Sequence, residues 1–422
     1  MNRGRLEIFS DAVLAVAITL LALNLTIPGP GHGPLTAQFT HQWQAFSAYL
    51  ISFYTIGIVW INHHSLLSGV KAVARSLIFF NHVLLVFVVL IPVSTKLLAD
   101  YLPVGGLDAR LAAAVYGMVL EGLSVGFVLI VEWTLREGRT EPPMPPDRRW
   151  AARFRYFPGI VAYLAVVGAA FIQPMLALGL SAVIAVYYSF EQAPLRAKYV
   201  ARLDDARRRS GIGRGRLEVF SDAVLAVAIT LLALNLMVPG PGHGPLAGQL
   251  THQWQPFAAY LISFFTIGAI WANHHSLLSS VPFVGRSLLF FDLVLLVFVV
   301  LIPPATKLLA DYLSLGGTSA HLAAAVYGAV LEGMAIGFTL IFEWTLRERR
   351  TEPPVPPDRR WAARLRYLPG PVTYLAVVGA AFIQPLLALG LSAVVDIYYA
   401  FEQTPLRAKG WLSARPDDTG NG

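Results

Sequence analysis

The chain has 422 residues, 56% of them hydrophobic and only 14% charged, with a mean hydropathy of +0.59. Soluble domains usually carry about 25% charged residues, so a soluble protein is excluded and a polytopic membrane protein is expected. The net charge is +7 and cysteine is absent. Lys and Arg sit in short clusters between apolar runs, where they flank a bilayer and do not form a nucleic-acid surface; disulfides, thiolate metal sites and thiol nucleophiles are excluded.

The first element opens with Arg5-Leu6-Glu7-Ile8-Phe9-Ser10-Asp11 and runs on as an apolar helix. From Phe9 to Ile27 it has about 19 residues, enough at about 1.5 Å per residue to cross a hydrocarbon core of roughly 30 Å. A Pro/Gly loop, Pro28 to Pro34, cannot continue the helix. Further spans are predicted from about Phe46 to Leu67, Ser76 to Leu98 and Leu107 to Leu135. The run Phe157 to Phe190 is too long for one span and splits at Gln173-Pro174, giving two more.

Sliding the chain along itself so that Arg5 falls on Arg216 aligns His63 with His274, Glu121 with Glu332 and Trp150 with Trp361 without a gap, at roughly three quarters identity. The expected organisation is a first six-span repeat over 1–195, a basic cytoplasmic linker over 196–214, a second repeat over 215–410 and a disordered tail over 411–422. The fold class is all-α, with twelve transmembrane helices as two parallel six-helix repeats. Lys71, Arg75, Arg136, Arg139, Arg148, Arg149, Arg153 and Arg155 fall on the same side as the linker, whereas the opposite side of the first copy has Lys96 and Arg110. The positive side faces the cytoplasm, which places both termini there.

An ionisable residue inside a span marks a functional candidate. Asp11 is the strongest, and Arg5 cannot pair with it inside one helix, because six residues turn through about 600° and leave the two about 120° apart. Partners must come from neighbouring helices. Trp60, Asn62, His63 and His64 near the end of span two, and Asn81 and His82 early in span three, fall at the depth of Asp11. Their duplicates are Trp271, Asn273, His274, His275, Asp292 and Leu293, below the second motif Arg216, Phe220, Ser221, Asp222. The cluster reads first as hydrogen-bonding glue around span one, with a direct proton or ion role as the alternative. His63 and His64 diverge by about 100° and make a poor metal pair. Glu121 and Glu332 sit near mid-span and must face protein or water. Asp396 aligns with Ala185, so no mechanism common to both copies needs it. Val115-Tyr116-Gly117 lies within a continuous apolar helix and does not make a carbonyl selectivity filter.

No nucleotide-binding loop or nucleophile constellation occurs between the spans, so an enzyme is not expected. The pattern R-x-x-x-F-S-D, present at Arg5, Phe9, Ser10, Asp11 and again at Arg216, Phe220, Ser221, Asp222, resembles the endolysosomal potassium channel family and its bacterial relatives. The resemblance implies a modestly potassium-selective channel in which the first helix of each repeat lines the pore. It implies an apolar constriction at Val16, Leu20 and Leu23 with Val227, Leu231 and Leu234, and a hydroxyl layer at Thr19 and Thr230 where potassium passes. It also implies a homodimer presenting four first helices, with membrane lipid as the other partner, no nucleic acid, and no cofactor besides the permeant potassium ion. A bacterial cell membrane is the expected location. The positions i, i+3, i+4 and i+7 do form one helix stripe, which by itself reads first as packing against other spans, a reading the resemblance reverses. A proton-conducting channel or a cation/proton antiporter is the alternative, although an antiporter usually shows inverted repeats and broken helices.

Overall fold

The structure, a computed structural model, describes residues 3–25, 27–67, 70–71, 73–136, 139, 146–189, 212–233, 254–281, 284–347, 351, 360–361, 363–365 and 369–401. Among these the regular elements are all helices. Contacts divide the chain into two compact units, residues 1–231 and 232–422.

In the first unit α1 (Arg3–Leu20) continues as a 3-10 turn over Leu21–Asn24. It is followed by a short α2 (Leu35–His41), α3 (Trp43–Leu67), α4 (Arg75–Tyr101), α5 (Gly106–Thr134), α6 (Pro146–Ile172) and α7 (Pro174–Ser189). Last comes α8 (Ile212–Ala233), which opens the second sequence repeat yet belongs through Leu231 to the first compact unit. The second unit holds α9 (Trp254–Ser279), α10 (Arg286–Leu313), α11 (Gly317–Thr345), α12 (Pro369–Ile383) and α13 (Pro385–Phe401). Apart from α2, the described helices match the twelve expected spans. Seven of them, α1 with its 3-10 turn, α3, α4, α5, α9, α10 and α11, are long and apolar enough to cross a membrane. The protein is an integral membrane protein. Most of the expected linker, residues 196–211, and the tail from 411 lie outside the described residues.

Two elements differ from the sequence reading. The Pro/Gly loop gives way to α2 directly after Pro34, and Gln38 clasps the loop: its Oε1 accepts from Gly29 N (3.0 Å) and its Nε2 donates to the carbonyls of Gly29 and Gly33 (both 3.0 Å). Helix α6 begins at Pro146, not near Phe157, so the basic residues from Arg148 to Arg155 lie on a helix and not in the loop between spans. Proline suits a first helical position, and Arg is a good helix former. Arg153 then forks onto Glu132 of α5 with bonds of 2.7 and 2.9 Å. The break at Gln173-Pro174 falls where proline required it, with α6 ending at Ile172 and α7 starting at Pro174.

Two devices bind the helices of each repeat. The first is a buried hydroxyl trio: Ser52 Oγ lies 2.7 Å from Thr95 Oγ1 and 3.1 Å from Tyr116 Oη, tying α3 to α4 and α5. The second unit repeats it with Ser263, Thr306 and Tyr327 at the same two distances. In an apolar setting such bonds have no competition from water. The second device is a ridge of small residues. A Cβ at Gly126 would stand 2.9 Å from Leu84 Cα, and one at Gly122 would run into the Phe87 ring, so these glycines let α5 press against the backbone of α4.

Gly126→Val forces that contact apart and is expected to cost about 1–3 kcal/mol. Gly168→Ala, whose Cβ would meet nothing within 4 Å, is expected to be neutral or to stabilise by up to about 1 kcal/mol. Equilibrium unfolding in detergent distinguishes them.

Candidate functional site

Asp11 and Ser10 are fully buried. Arg5, on the same helix, is exposed. The charge that balances Asp11 comes instead from the second copy of the motif, on α8. Arg216 Nε donates to Asp11 Oδ2 at 3.0 Å and Arg216 Nη2 to Asp11 Oδ1 at 2.7 Å, a two-pronged guanidinium–carboxylate bond. Arg216 Nη1 also reaches the His64 carbonyl at 3.4 Å and pairs with Glu7 Oε1 at 3.5 Å. Glu7 is shared with Arg3, 3.6 Å away, so two acids meet two bases at this end of α1. From α3, Trp60 Nε1 donates to Asp11 Oδ1 at 3.0 Å. The Phe220 ring of α8 stacks on the Trp60 indole at 4.1 Å between centroids and 15° between planes. The arginine and the phenylalanine of one motif thus complete the aspartate of the other.

A second branch fixes the helix from its other side. Ser10 Oγ donates to the Leu6 carbonyl (2.8 Å) and accepts from Asn81 Nδ2 (3.0 Å). Asn81 Oδ1 lies 2.7 Å from His63 Nε2, so that nitrogen carries the proton. In the second unit Asp292 stands where Asn81 does, and His274 Nε2 lies 2.7 Å from its Oδ1 with both side chains buried. That substitution replaces a neutral acceptor with a carboxylate. Ser221 back-bonds to Leu217 O at 2.9 Å and Asn273 to Ala269 O at 2.8 Å. Asp222 is half-buried, and Trp271 is 46% exposed with its ring stacked on His275 at 6.1 Å.

Some expected members of the cluster lie elsewhere. Asn62 faces a cavity among α3, α5, α6 and α7, not Asp11. His82 is exposed, bonds through Nδ1 to Ile78 O at 2.8 Å and stacks on Phe9 at 5.7 Å. Glu121 and Glu332 are half-buried, each with a buried Oε2 that has no hydrogen-bond partner among the described residues. Among the described residues no group of three or more His, Cys, Asp or Glu could hold a metal ion. Glu7 and Arg3 were not anticipated as members, although their i,i+4 spacing is the signal for such a pair.

The apolar stripe of α1 is open over Phe9, Ala12, Val16 and Leu23, with Leu20 partly exposed. Val16 is 41% and Leu23 47% exposed, while Thr19 is fully buried and its Oγ1 donates to the carbonyls of Val16 (2.9 Å) and Ala15 (3.2 Å). On α8 Val227 and Leu231 are half-buried and Thr230 is exposed, its hydroxyl bonded to Val227 O at 2.8 Å. Position i+3 lies about 60° behind position i on a helix, which turns Thr19 towards Ala15 and Ile18 on the packed side. The two threonines expected to form one hydroxyl layer are therefore presented differently. Leu234 lies outside the described residues.

Removing one partner of a buried ion pair leaves the other charge without compensation. Arg216→Ala is expected to cost about 3–5 kcal/mol, whereas Lys96→Ala, which breaks an exposed pair with Asp100 at 3.0 Å, is expected to cost under about 1 kcal/mol. The same unfolding measurement in detergent compares them.

The family model described as endosomal/lysosomal potassium channel TMEM175 matches residues 5–92 and again residues 216–303. A Streptomyces collinus protein named as a potassium channel is 40% identical over 195 residues, covering 46% of this chain and 94% of that protein. A Chamaesiphon minutus protein, also named as a potassium channel, is 31% identical over 194 residues, covering 44% of this chain and 93% of its own length. A Gallus gallus protein named endosomal/lysosomal proton channel TMEM175 is 23% identical over 335 residues, 73% of this chain and 66% of that protein. Each bacterial relative thus corresponds to about one repeat. With two matched segments that each begin at a motif arginine, and a bacterial relative covered almost end to end, the chain belongs to the family of the endosomal/lysosomal potassium channel TMEM175.

Proposed function

We propose that this chain is a cation channel with modest selectivity for potassium, and that cations pass along the open stripe of α1 and its counterpart on α8. The observation that carries the reading is the contrast on α1. One side is held by a buried charge cluster, while Phe9, Ala12, Val16 and Leu23 remain open on a helix long enough to span the bilayer. An apolar neck built from such side chains stops ions by dewetting, since an ion stripped of water there gains no ligands. Val16, Leu20, Leu23, Val227, Leu231 and Leu234 supply the neck. Hydroxyl oxygens can replace part of the hydration of a weakly hydrated cation, and the exposed Thr230 is better placed for this than the buried Thr19. The family relationship, with two bacterial relatives named as potassium channels, supports the same reading.

One chain supplies two first helices, so a closed pore of four calls for a second copy. Arg5 and Phe9 are the exposed counterparts of Arg216 and Phe220. In the proposed homodimer Arg5 of each copy meets Asp222 of the other, repeating between chains the bond made within one. The chain is placed in a bacterial cell membrane with both termini cytoplasmic, on the distribution of its Lys and Arg. Proton conduction is the second reading, favoured by the half-buried carboxyls of Glu121 and Glu332 inside spans.

In planar bilayers with potassium on one side and sodium on the other, the protein is expected to give a steady current whose reversal potential favours potassium. Thr230→Ala moves that potential towards zero more than Thr19→Ala does; an unchanged potential in Thr230→Ala, or one set by the proton gradient alone, rejects the potassium reading. Arg5→Ala is expected to lower the dimer fraction, read by light scattering in detergent, while leaving the unfolding of the chain within about 0.5 kcal/mol.

A further inference from the structure

In the second unit a partly open cavity lies among α9, α11, α12 and α13. Much of the wall is apolar, including Ile270, Met334 and Phe338, and the tyrosines Tyr374 and Tyr399 add two further rings. Gly370 keeps Tyr399 in place, because a Cβ there would stand 2.7 Å from its hydroxyl. The acid in this wall is Asp396, only 6% exposed. Its Oδ2 accepts from Thr266 Oγ1 at 2.6 Å and its Oδ1 from Tyr374 Oη at 3.3 Å. A carboxylate has about four acceptor positions, so two such bonds leave capacity for a further donor.

The first unit contains the matching cavity, with Thr55, Tyr163 and Tyr188 at the corresponding wall positions. The position of Asp396 is there taken by Ala185. The duplicated chain therefore carries two copies of one pocket, of which one has gained a buried acid. The hydrogen bonds from Thr266 and Tyr374 offset part of the cost of burying this acid, and a cation beside it would balance its charge. One carboxylate and two hydroxyls fall short of the six or more oxygens a hard metal ion takes. Aromatic faces beside an acid instead suit an ammonium group carrying an apolar body.

We propose that the cavity around Asp396 is a binding site for a small protonated amine with a compact apolar body, present once per chain and absent from the matching cavity of the first repeat. The ammonium donates to Asp396 and lies against the Tyr374 and Tyr399 rings, while the body occupies the apolar wall formed by Met334 and Phe338.

The test uses the full chain in lipid nanodiscs and benzylamine as the probe, with benzyl alcohol as its uncharged analogue, both followed by titration calorimetry. Benzylamine is expected to bind once per chain and about tenfold or more tighter than benzyl alcohol. Asp396→Ala restores the residue that the first repeat tolerates at this position, and Asp396→Asn keeps the shape without the charge; both are expected to weaken benzylamine by about tenfold or more. Ala185→Asp, facing the hydroxyls of Thr55 and Tyr163, is expected to raise the stoichiometry to two per chain. Equal affinity for amine and alcohol, undiminished binding in Asp396→Ala, or a folded Ala185→Asp protein that still binds once would each overturn the proposal. No current is measured, so the result is independent of the conduction reading.

Discussion

The structure depends on one buried ion pair, the fork from Arg216 to Asp11. A carboxylate carried into a membrane-spanning helix must be answered, and helical geometry prevents the arginine six residues earlier from answering it. The motif is therefore incomplete on its own helix and is completed by the next copy of itself. Trp60 supplies the remaining donor, and Phe220 stacked on that indole covers the pair. A linkage of this kind runs head to tail and closes only when the last motif meets the first. Duplication builds one such link into the chain, and Arg5, the counterpart of Arg216 on α1, is exposed.

The two repeats share their frame and differ in their chemistry. The trio of Ser52, Thr95 and Tyr116 recurs at unchanged distances in Ser263, Thr306 and Tyr327, and the glycine ridge of α5 recurs in α11, where Gly333 faces Phe298 and Gly337 faces Leu295. These contacts set how closely the helices approach, and a change in either would be felt throughout the packing. The differences fall where a single side chain can vary without moving a helix. Asn81 becomes Asp292 beside a histidine, and Ala185 becomes Asp396 in a cavity wall. An ancestral frame has thus been kept while individual polar positions became specific to one repeat.

Much of the frame was legible because it rests on long-period signals. Span lengths, the proline break at Gln173-Pro174 and the duplication all follow from hydropathy and from residues that cannot be helical. Helix α2 escaped notice because seven residues carry too little periodicity to register. The start of α6 was missed because its arginines resemble a loop by charge while favouring a helix by propensity. At the site, the need for partners from other helices could be derived from Asp11 and Arg5, and Trp60 could be named from its depth. The choice of Arg216, 205 residues away, could not, since no local pattern records which copy of a repeat meets which. Thr19 shows the limit of stripe arguments: i+3 and i+4 both neighbour position i, and packing decides which of them is left open.

The account stands on cations moving past the open stripe of α1. Because the chain has no cysteine, a thiol can be placed there without background. The direct measurement is the potassium current through Val16→Cys channels before and after a charged, water-soluble methanethiosulfonate reagent, with Leu14→Cys, a fully buried neighbour, as the control. The account predicts that the current through Val16→Cys is strongly altered and that through Leu14→Cys is not. A full current through Val16→Cys protein whose modification is verified by mass spectrometry would contradict it.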